Sequence, residues 1–285
     1  MSIKIIADST CDISLSQARE LDVEIVPLKI IIEGKEYTDG IDITKEEFMD
    51  KLLVCEKPPT TVQVNPEAFT KVFKKHINNG DEIIGVFISS TISGTCQSAN
   101  IAKENAGSND IHIIDSTKVS IACGALIYEA CKLRDEGKSA VEIAKLLNKL
   151  KEKIRFFCVI DTLKYLKLGG RMSATTAILG SILNVKPIIS MIDGQISSIG
   201  KARGLSAAYK HVTDIISKTN PDFSKTCVFG RTSDLGTNND FRQFISQRID
   251  FKEINDNIVG TVVSTHSGPN CVGIAFFDNN EDFSY

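Results

Sequence analysis

The sequence predicts an α/β fold with a mostly parallel N-terminal sheet, a small antiparallel ribbon attached to it, and a mixed sheet in the C-terminal half. Three observations carry that expectation. The chain has 285 residues, 42% of them hydrophobic, and at about 100 to 200 residues per domain two domains are the default. Short β-branched runs alternate with amphipathic helical segments, the pattern of βαβ units around a parallel sheet. Near Lys153 this alternation gives way to ribbons and paired strands, which places the division between residues 1–155 and 156–285.

Ile3 to Ala7 is the first strand. Val23 to Ile32 reads as a single longer strand that Glu33 and Gly34 turn back through Lys35 to Thr38 as an antiparallel ribbon. A helix from Glu46 to Val54 opens with Thr44 and Glu47 at capping-box spacing. The next starts at Asn65, with Pro66 in the first turn, where an N–H has no helical partner. Glu82 to Ile88 and Ile111 to Asp115 are buried strands, each leading through a hydroxyl-rich loop into a helix. Ser139 and Glu142 cap a further helix, whose basic residues near Lys153 suit a helix C-terminus. Beyond it lie strand Phe156 to Ile160, a helix reaching Leu168, and another beginning near Ser173. A two-stranded ribbon turns at Asp193-Gly194, a hairpin dipeptide. Helices Leu205 to Ser217 and Asn239 to Arg248 flank strand Thr226 to Gly230. Ile258 to Val263 and Val272 to Phe277 are the closing strands, and the acidic tail Asp278 to Tyr285 is expected to fray.

Composition excludes several function classes. With 33 basic and 36 acidic residues the net charge is -3, unlike a domain that coats nucleic acid or an anionic membrane. Aromatic residues make up 7% and tryptophan is absent, which argues against a stacking platform. No apolar run approaches the roughly 20 residues of a membrane helix, and Asp8 interrupts the segment a signal peptide would need, so a cytoplasmic location is expected. The 8 cysteines are scattered with no CxxC, and they read as small buried apolar residues. The 4 histidines show no compact ligand spacing, and neither a metal nor a cofactor is expected.

Chemistry concentrates in a few segments. Ile88 to Thr95, ISSTISGT, follows a buried strand and opens a helix, where unpaired N–H groups and a partial positive charge favour a small anion. Ser89, Ser90, Thr91, Ser93 and Thr95 add donors, and Gly94 lets the backbone approach a ligand. The alternative is an ordinary N-cap with hydroxylated turn residues. Thr265 to Gly273 places His266 before a Gly-Pro turn, a loop position from which it can donate to a bound anion. Asp161 to Ser173 breaks at Gly169-Gly170 to expose Arg171, and Arg203 stands beside glycine further along. Two such arginines could clamp a phosphate or dock an acidic partner. Asp8 and Asp12 in DSTCD read as loop-holding carboxylates in preference to a catalytic pair.

Taken in order, these segments resemble the DegV family of bacterial fatty-acid-binding proteins. DSTCD, the stretch VPLKIIIEGKEYTDGIDI (Val26 to Ile43), SSTISGT, TLKYLKLGGRMS and HSGPNCVG are similar to its successive signatures, over about the whole chain. The resemblance implies two α/β domains, the first Rossmann-like, with a long-chain fatty acid between them and its acyl chain in an apolar tunnel. It implies that Ser93 and Thr61 hold the carboxylate, with Gly94 and His266 beside them, and that Arg171 and Arg203 serve phosphoryl transfer and kinase docking. Characterised members hand the acyl group to a separate ATP-dependent fatty acid kinase, which makes acyl-phosphate for phospholipid synthesis. The chain departs from the family pattern at Val62 and Val64, beside Thr61, and at Cys96. The expected role is therefore a non-catalytic carrier. A serine hydrolase with Ser93 as nucleophile, His266 as base and Asp8 as orienter is the alternative, although ISGT lacks the GxSxG elbow. A fatty-acid sensor without phosphoryl transfer would need the same pocket.

Overall fold

Asp8, at the end of the first strand, has no exposed surface, and the fold is arranged around such buried carboxylates at the strand ends. The computed structural model describes residues 2–172, 184–232 and 238–280. The N-terminal half runs β1 (Ile3–Asp8), α1 (Leu15–Glu20), β2 (Val23–Val26), β3 (Lys29–Ile32), β4 (Lys35–Thr38), α2 (Lys45–Val54), β5 (Thr60–Val62), α3 (Pro66–Asn78), β6 (Glu82–Phe87), α4 (Thr95–Ala106), β7 (Ile111–Asp115), α5 (Ile121–Asp135) and α6 (Ala140–Leu150). It continues through β8 (Ile154–Val159), α7 (Lys164–Leu168), β9 (Val185–Ile192), β10 (Gln195–Arg203), α8 (Leu205–Ile216), β11 (Cys227–Arg231), α9 (Asn238–Ser246), β12 (Ile254–Ile258), α10 (Thr261–Ser267) and β13 (Val272–Phe277).

Three sheets result. The first is fully parallel in the order β2-β1-β6-β7, and the second is mixed, β10-β9-β8-β13-β11-β12, with only the β11–β12 pair parallel. The third is an antiparallel sheet, β4-β3-β5. The expected single strand from Val23 to Ile32 is therefore two, in different sheets. Pro27 lies between them; it has no N–H for a ladder and holds its φ near that of a bend, so the chain leaves one sheet and starts another. The ribbon is not an attachment to the parallel sheet, because β3 pairs with β5 as well as β4. Its turn, with Glu33 at φ 49° and Gly34 at φ 81°, and the one at Asp193 (φ 50°) and Gly194 (φ 75°) are the positive-φ hairpins the sequence predicts.

The helix boundaries follow their caps. Ser14, Thr44 and Ser139 each accept from the third helical N–H while Gln17, Glu47 and Glu142 reach back to the cap, three reciprocal capping boxes. Helix α5 is different, since every residue from Ile121 to Cys131 is buried, as befits a helix that is apolar nearly all round, Glu129 excepted. It packs on β1 and β6 on one side and on β8, β11 and β13 on the other. Gly124 permits this closeness: a Cβ there would lie 2.7 Å from the Cys11 carbonyl oxygen. One core consequently runs from Ile5 and Val86 through α5 to Phe156, Val228 and Ala275.

Two further expectations are corrected. Thr261 to Ser267 is helix, so no strand spans Ile258 to Val263, and His266 sits on the last turn of α10. Asp278 is not frayed: it is buried and pairs with Arg155 at 2.9 Å. The helix expected near Ser173 and the end of the acidic tail, from position 281 on, lie outside the described residues. Seven of the cysteines are buried and Cys55 is half-buried. Among the described residues, no helix is long and apolar enough to cross a membrane.

Candidate functional site at the cavity mouth

The carboxyl ends of β1 and β6 place two loops side by side, and Asp8 ties them together. Its carboxylate accepts from the N–H of Ile88 at 2.8 Å and of Thr10 at 2.9 Å, and from the Thr10 hydroxyl. Burial pushes the Asp8 carboxyl up, and these hydrogen bonds oppose the shift. The loop after β6 then folds on itself. Ser93 N–H donates to the Ser89 carbonyl at 3.1 Å, Thr95 N–H donates to Ser93 Oγ at 3.3 Å, and the Ser93 and Thr95 hydroxyls are 3.0 Å apart. Not all five hydroxyls are offered to a ligand. Ser89 donates to the Gly194 carbonyl at 2.8 Å and Ser90 to Asp115, so those two brace the loop as turn residues do. Ser93 faces a cavity. Gly94 caps α4 without a side-chain bond, and its α-carbon packs against the end of the Gln63 side chain.

From the opposite wall α10 brings in His266. Its Nε2 lies 3.0 Å from Thr61 Oγ1 on β5, whereas its Nδ1 is buried without a hydrogen-bond partner among the described residues. The backbone of Gly169 presses on that nitrogen, since a Cβ there would come within 2.1 Å of Nδ1. Burial first, and then the Arg171 guanidinium, push His266 down to about 4, so the ring is neutral at physiological pH. Arg171 donates to the Gly169 carbonyl and lines the same cavity. An orphaned ring nitrogen, two hydroxyls and one cation therefore converge at one end of it.

The cavity is walled by Ile88, Val119, Phe156, Leu166, Ile189 and Val262 among others. An anion head and an apolar body are what such a surface can hold: donors at the mouth satisfy a carboxylate, while the walls are mostly apolar, with hydroxyls at Thr10, Ser120 and Thr232 among them.

The family model for the DegV family, described as uncharacterised protein, matches residues 2–279. The chain belongs to the DegV family. A DegV domain-containing protein of Caldanaerobacter subterraneus subsp. tengcongensis is 36% identical over 275 residues, covering 96% of this chain and 98% of the relative. Among solved structures, a fatty-acid-binding DegV family protein from Thermus thermophilus matches with a TM-score of 0.89 at 28% identity, over 98% of this chain and 100% of that one. A stearic acid-binding protein from Eubacterium ventriosum matches with a TM-score of 0.86 at 26% identity, over 98% of both chains.

Within this DegV fold the sequence-derived residues separate into two groups. Thr61, Ser93, His266 and Arg171 line one cavity. Arg203 does not: it is exposed at the end of β10, whereas Met172, next to Arg171, bridges to Ile196 near the start of that strand. The seven-residue offset is roughly 20 Å of strand, so the two arginines do not clamp one phosphate. Nor is a hydrolase triad assembled. Asp8 is occupied by Ile88 and Thr10, His266 bonds Thr61, and Ser93 bonds Thr95. The sequence reading missed Gly169 as the seat of His266 and Asp39 as an anchor of α10. Gly169 stands in a helix-breaking pair, and Asp39 lies in a loop whose partner is far along the chain, so neither carries a local signal of its role.

Proposed function

We propose that this chain binds a long-chain fatty acid, with the carboxylate at Ser93, Thr61, His266 and Arg171 and the acyl chain in the apolar cavity. The observation that carries this reading is the orphaned, neutral His266, beside Thr61 and Arg171, at a cavity whose walls are mostly apolar. The fatty acids named for the Thermus and Eubacterium proteins support it. Energetics agree: at about 0.8 kcal/mol per buried CH₂, a chain of some 14 methylenes gains on the order of 10 kcal/mol before association costs. Affinity then resides in the walls and orientation in the polar end.

In the same reading residues 1–155 and 156–285 are the two domains, with the ligand between them. The bound carboxylate is presented to a separate fatty acid kinase in the cytoplasm, which converts it to acyl-phosphate for phospholipid synthesis. Arg171, at the mouth, meets the phosphoryl group, and exposed Arg203 docks the kinase. Mass spectrometry of denatured, purified protein should find near-stoichiometric fatty acid. Arg203→Ala should keep that lipid yet lose acyl-phosphate formation with the kinase present. A protein that is empty and also refuses added palmitate overturns the binding reading, and an Arg203→Ala variant with undiminished kinase turnover overturns the docking role.

A further inference from the structure

Three side chains from the first 45 residues converge on Ile258 to Thr261, which lead from β12 into α10. The Asp12 carboxylate accepts from Gly260 N–H at 2.7 Å, the Asp39 carboxylate accepts from Thr261 N–H at 3.0 Å and from its hydroxyl at 2.7 Å, and Lys45 donates to the Ile258 carbonyl. Asp12 and Asp39 are 4% and 5% exposed, so these bonds are made out of water, where an abandoned N–H is costly. The fit is close: a Cβ on Gly260 would meet Asp12 Oδ1 at 3.1 Å and Asp39 Oδ2 at 3.3 Å.

What these groups hold is a helix with little reason to form alone. Its seven residues, TVVSTHS, are mostly β-branched or hydroxylated, and so short a segment of such residues is unstable in isolation. Its last turn carries His266 against Thr61. The second oxygen of Asp12 accepts from the Ser120 hydroxyl, and Ser120 lines the same cavity. Asp12 thus bonds both the cavity wall and the start of the helix that ends in the polar hook.

We propose that Asp12 and Asp39 are positioning residues of the fatty-acid site, fixing His266 against Thr61 by gripping the start of α10. The proposal rests on the binding reading above for its ligand, but its geometry is testable without one. In delipidated protein the His266 ring nitrogens, followed by ¹⁵N NMR, report the Thr61 contact. Asp39→Ala should shift the His266 signals and weaken palmitate binding about 10-fold, whereas Asp39→Asn, which keeps a carbonyl oxygen for Thr261, should restore both toward wild type. Lys45→Met, at a half-exposed position, should move the same two readouts in the same direction by a smaller factor, and it keeps the question decidable if Asp39→Ala fails to fold. Unchanged His266 signals and palmitate affinity in the folded variants overturn the proposal. A wild type that binds no palmitate but whose His266 signals still respond to Asp39→Ala would overturn the binding reading and leave the positioning role standing.

Discussion

The loop after β6 and the helix α10 deliver polar groups to the same cavity mouth by opposite means. Around Ser93 the loop is held by its own residues, since Ser93 bonds Ser89 and Thr95, while Asp8, Asp115, Lys118 and Gly194 fix its first residues, Ile88 to Ser90. Helix α10 is held by carboxylates 248 and 222 residues away in sequence. A locally closed loop should tolerate change near the ligand, whereas a remotely anchored helix should transmit every disturbance of its anchors to His266. The contrast teaches that proximity to the ligand is a poor guide to which residues set the site's geometry.

The largest expected effect separates the two ends of α10 by pH. Burial pushes Asp12 up to about 7, with Ser120, Gly260 and Lys45 opposing the shift and Asp39 adding to it. The folded state therefore binds a proton that the unfolded state releases near pH 4, and Asp12's contribution to stability is lost as pH rises from about 4 to about 7. His266, pushed down to about 4, works in the other direction. Its contribution is present above the unfolded value near 6.5 and is lost as pH falls toward 4. The effects are on the order of 4 kcal/mol for Asp12 and on the order of 3 kcal/mol for His266. Urea titrations from pH 4.5 to 8 should show Asp12→Asn gaining on wild type as pH rises and His266→Gln gaining as pH falls. Curves parallel to wild type across that range would remove the charge-burial account of both residues.

The same contrast explains what the sequence made legible. Capping boxes at Ser14, Thr44 and Ser139, the hairpin at Asp193-Gly194 and the hydroxyl loop all depend on residues within a few positions of one another, so their patterns survive in the linear chain. Ser93, His266 and Arg171 could be singled out as candidates because each stands beside a local break in the chain pattern, whereas Thr61 came from the family resemblance alone. The helical state of Thr261 to Ser267 could not. Its β-branched residues favour a strand, and the capping carboxylates that overrule them are contributed from the far end of the chain. The split of Val23 to Ile32 was missed for a related reason: Pro27 marks a break, but only the pairing of β3 with β5 shows where the chain goes next. Arg203 looked equivalent to Arg171 because both stand beside glycine, and strand register alone separates them.

A smaller effect is expected where the His266 ring is seated. Gly169 has φ -75° and ψ -11°, a conformation alanine adopts freely, so backbone strain does not oppose the substitution. On helix propensity alone Gly169→Ala would stabilise by about 0.5–1 kcal/mol. The added methyl, however, would overlap His266 Nδ1, and a ring held by Thr61 on its other side has no free direction in which to retreat. Overpacking of this kind costs about 1–3 kcal/mol. Gly169→Ala should therefore weaken palmitate binding by at least 10-fold, with a modest fall in Tm. Binding equal to wild type would mean that His266 is not confined as the geometry implies.

The smallest effects belong to the hydroxyl loop. Ser93→Ala removes one neutral partner of a ligand carboxylate, worth about 1 kcal/mol or roughly 5-fold in palmitate affinity. Thr95 N–H loses its acceptor too, and because Thr95 is buried at the start of α4 a modest loss of stability should accompany the loss of affinity. Gly94→Ala should do less still. Its added methyl meets the amide end of Gln63, an exposed side chain that can swing into solvent by giving up its bond to Ser98 Oγ at 3.2 Å, and Gly94 has φ -75°, so the cost should stay within about 1 kcal/mol. The two glycines thus make a matched pair, each with a methyl aimed at one side chain, differing in whether that side chain is exposed or trapped. Isothermal titration of both alanine variants with palmitate decides the matter: if Gly94→Ala weakens binding as much as Gly169→Ala, the loop is not self-sufficient and the distinction between locally and remotely held groups fails at this site.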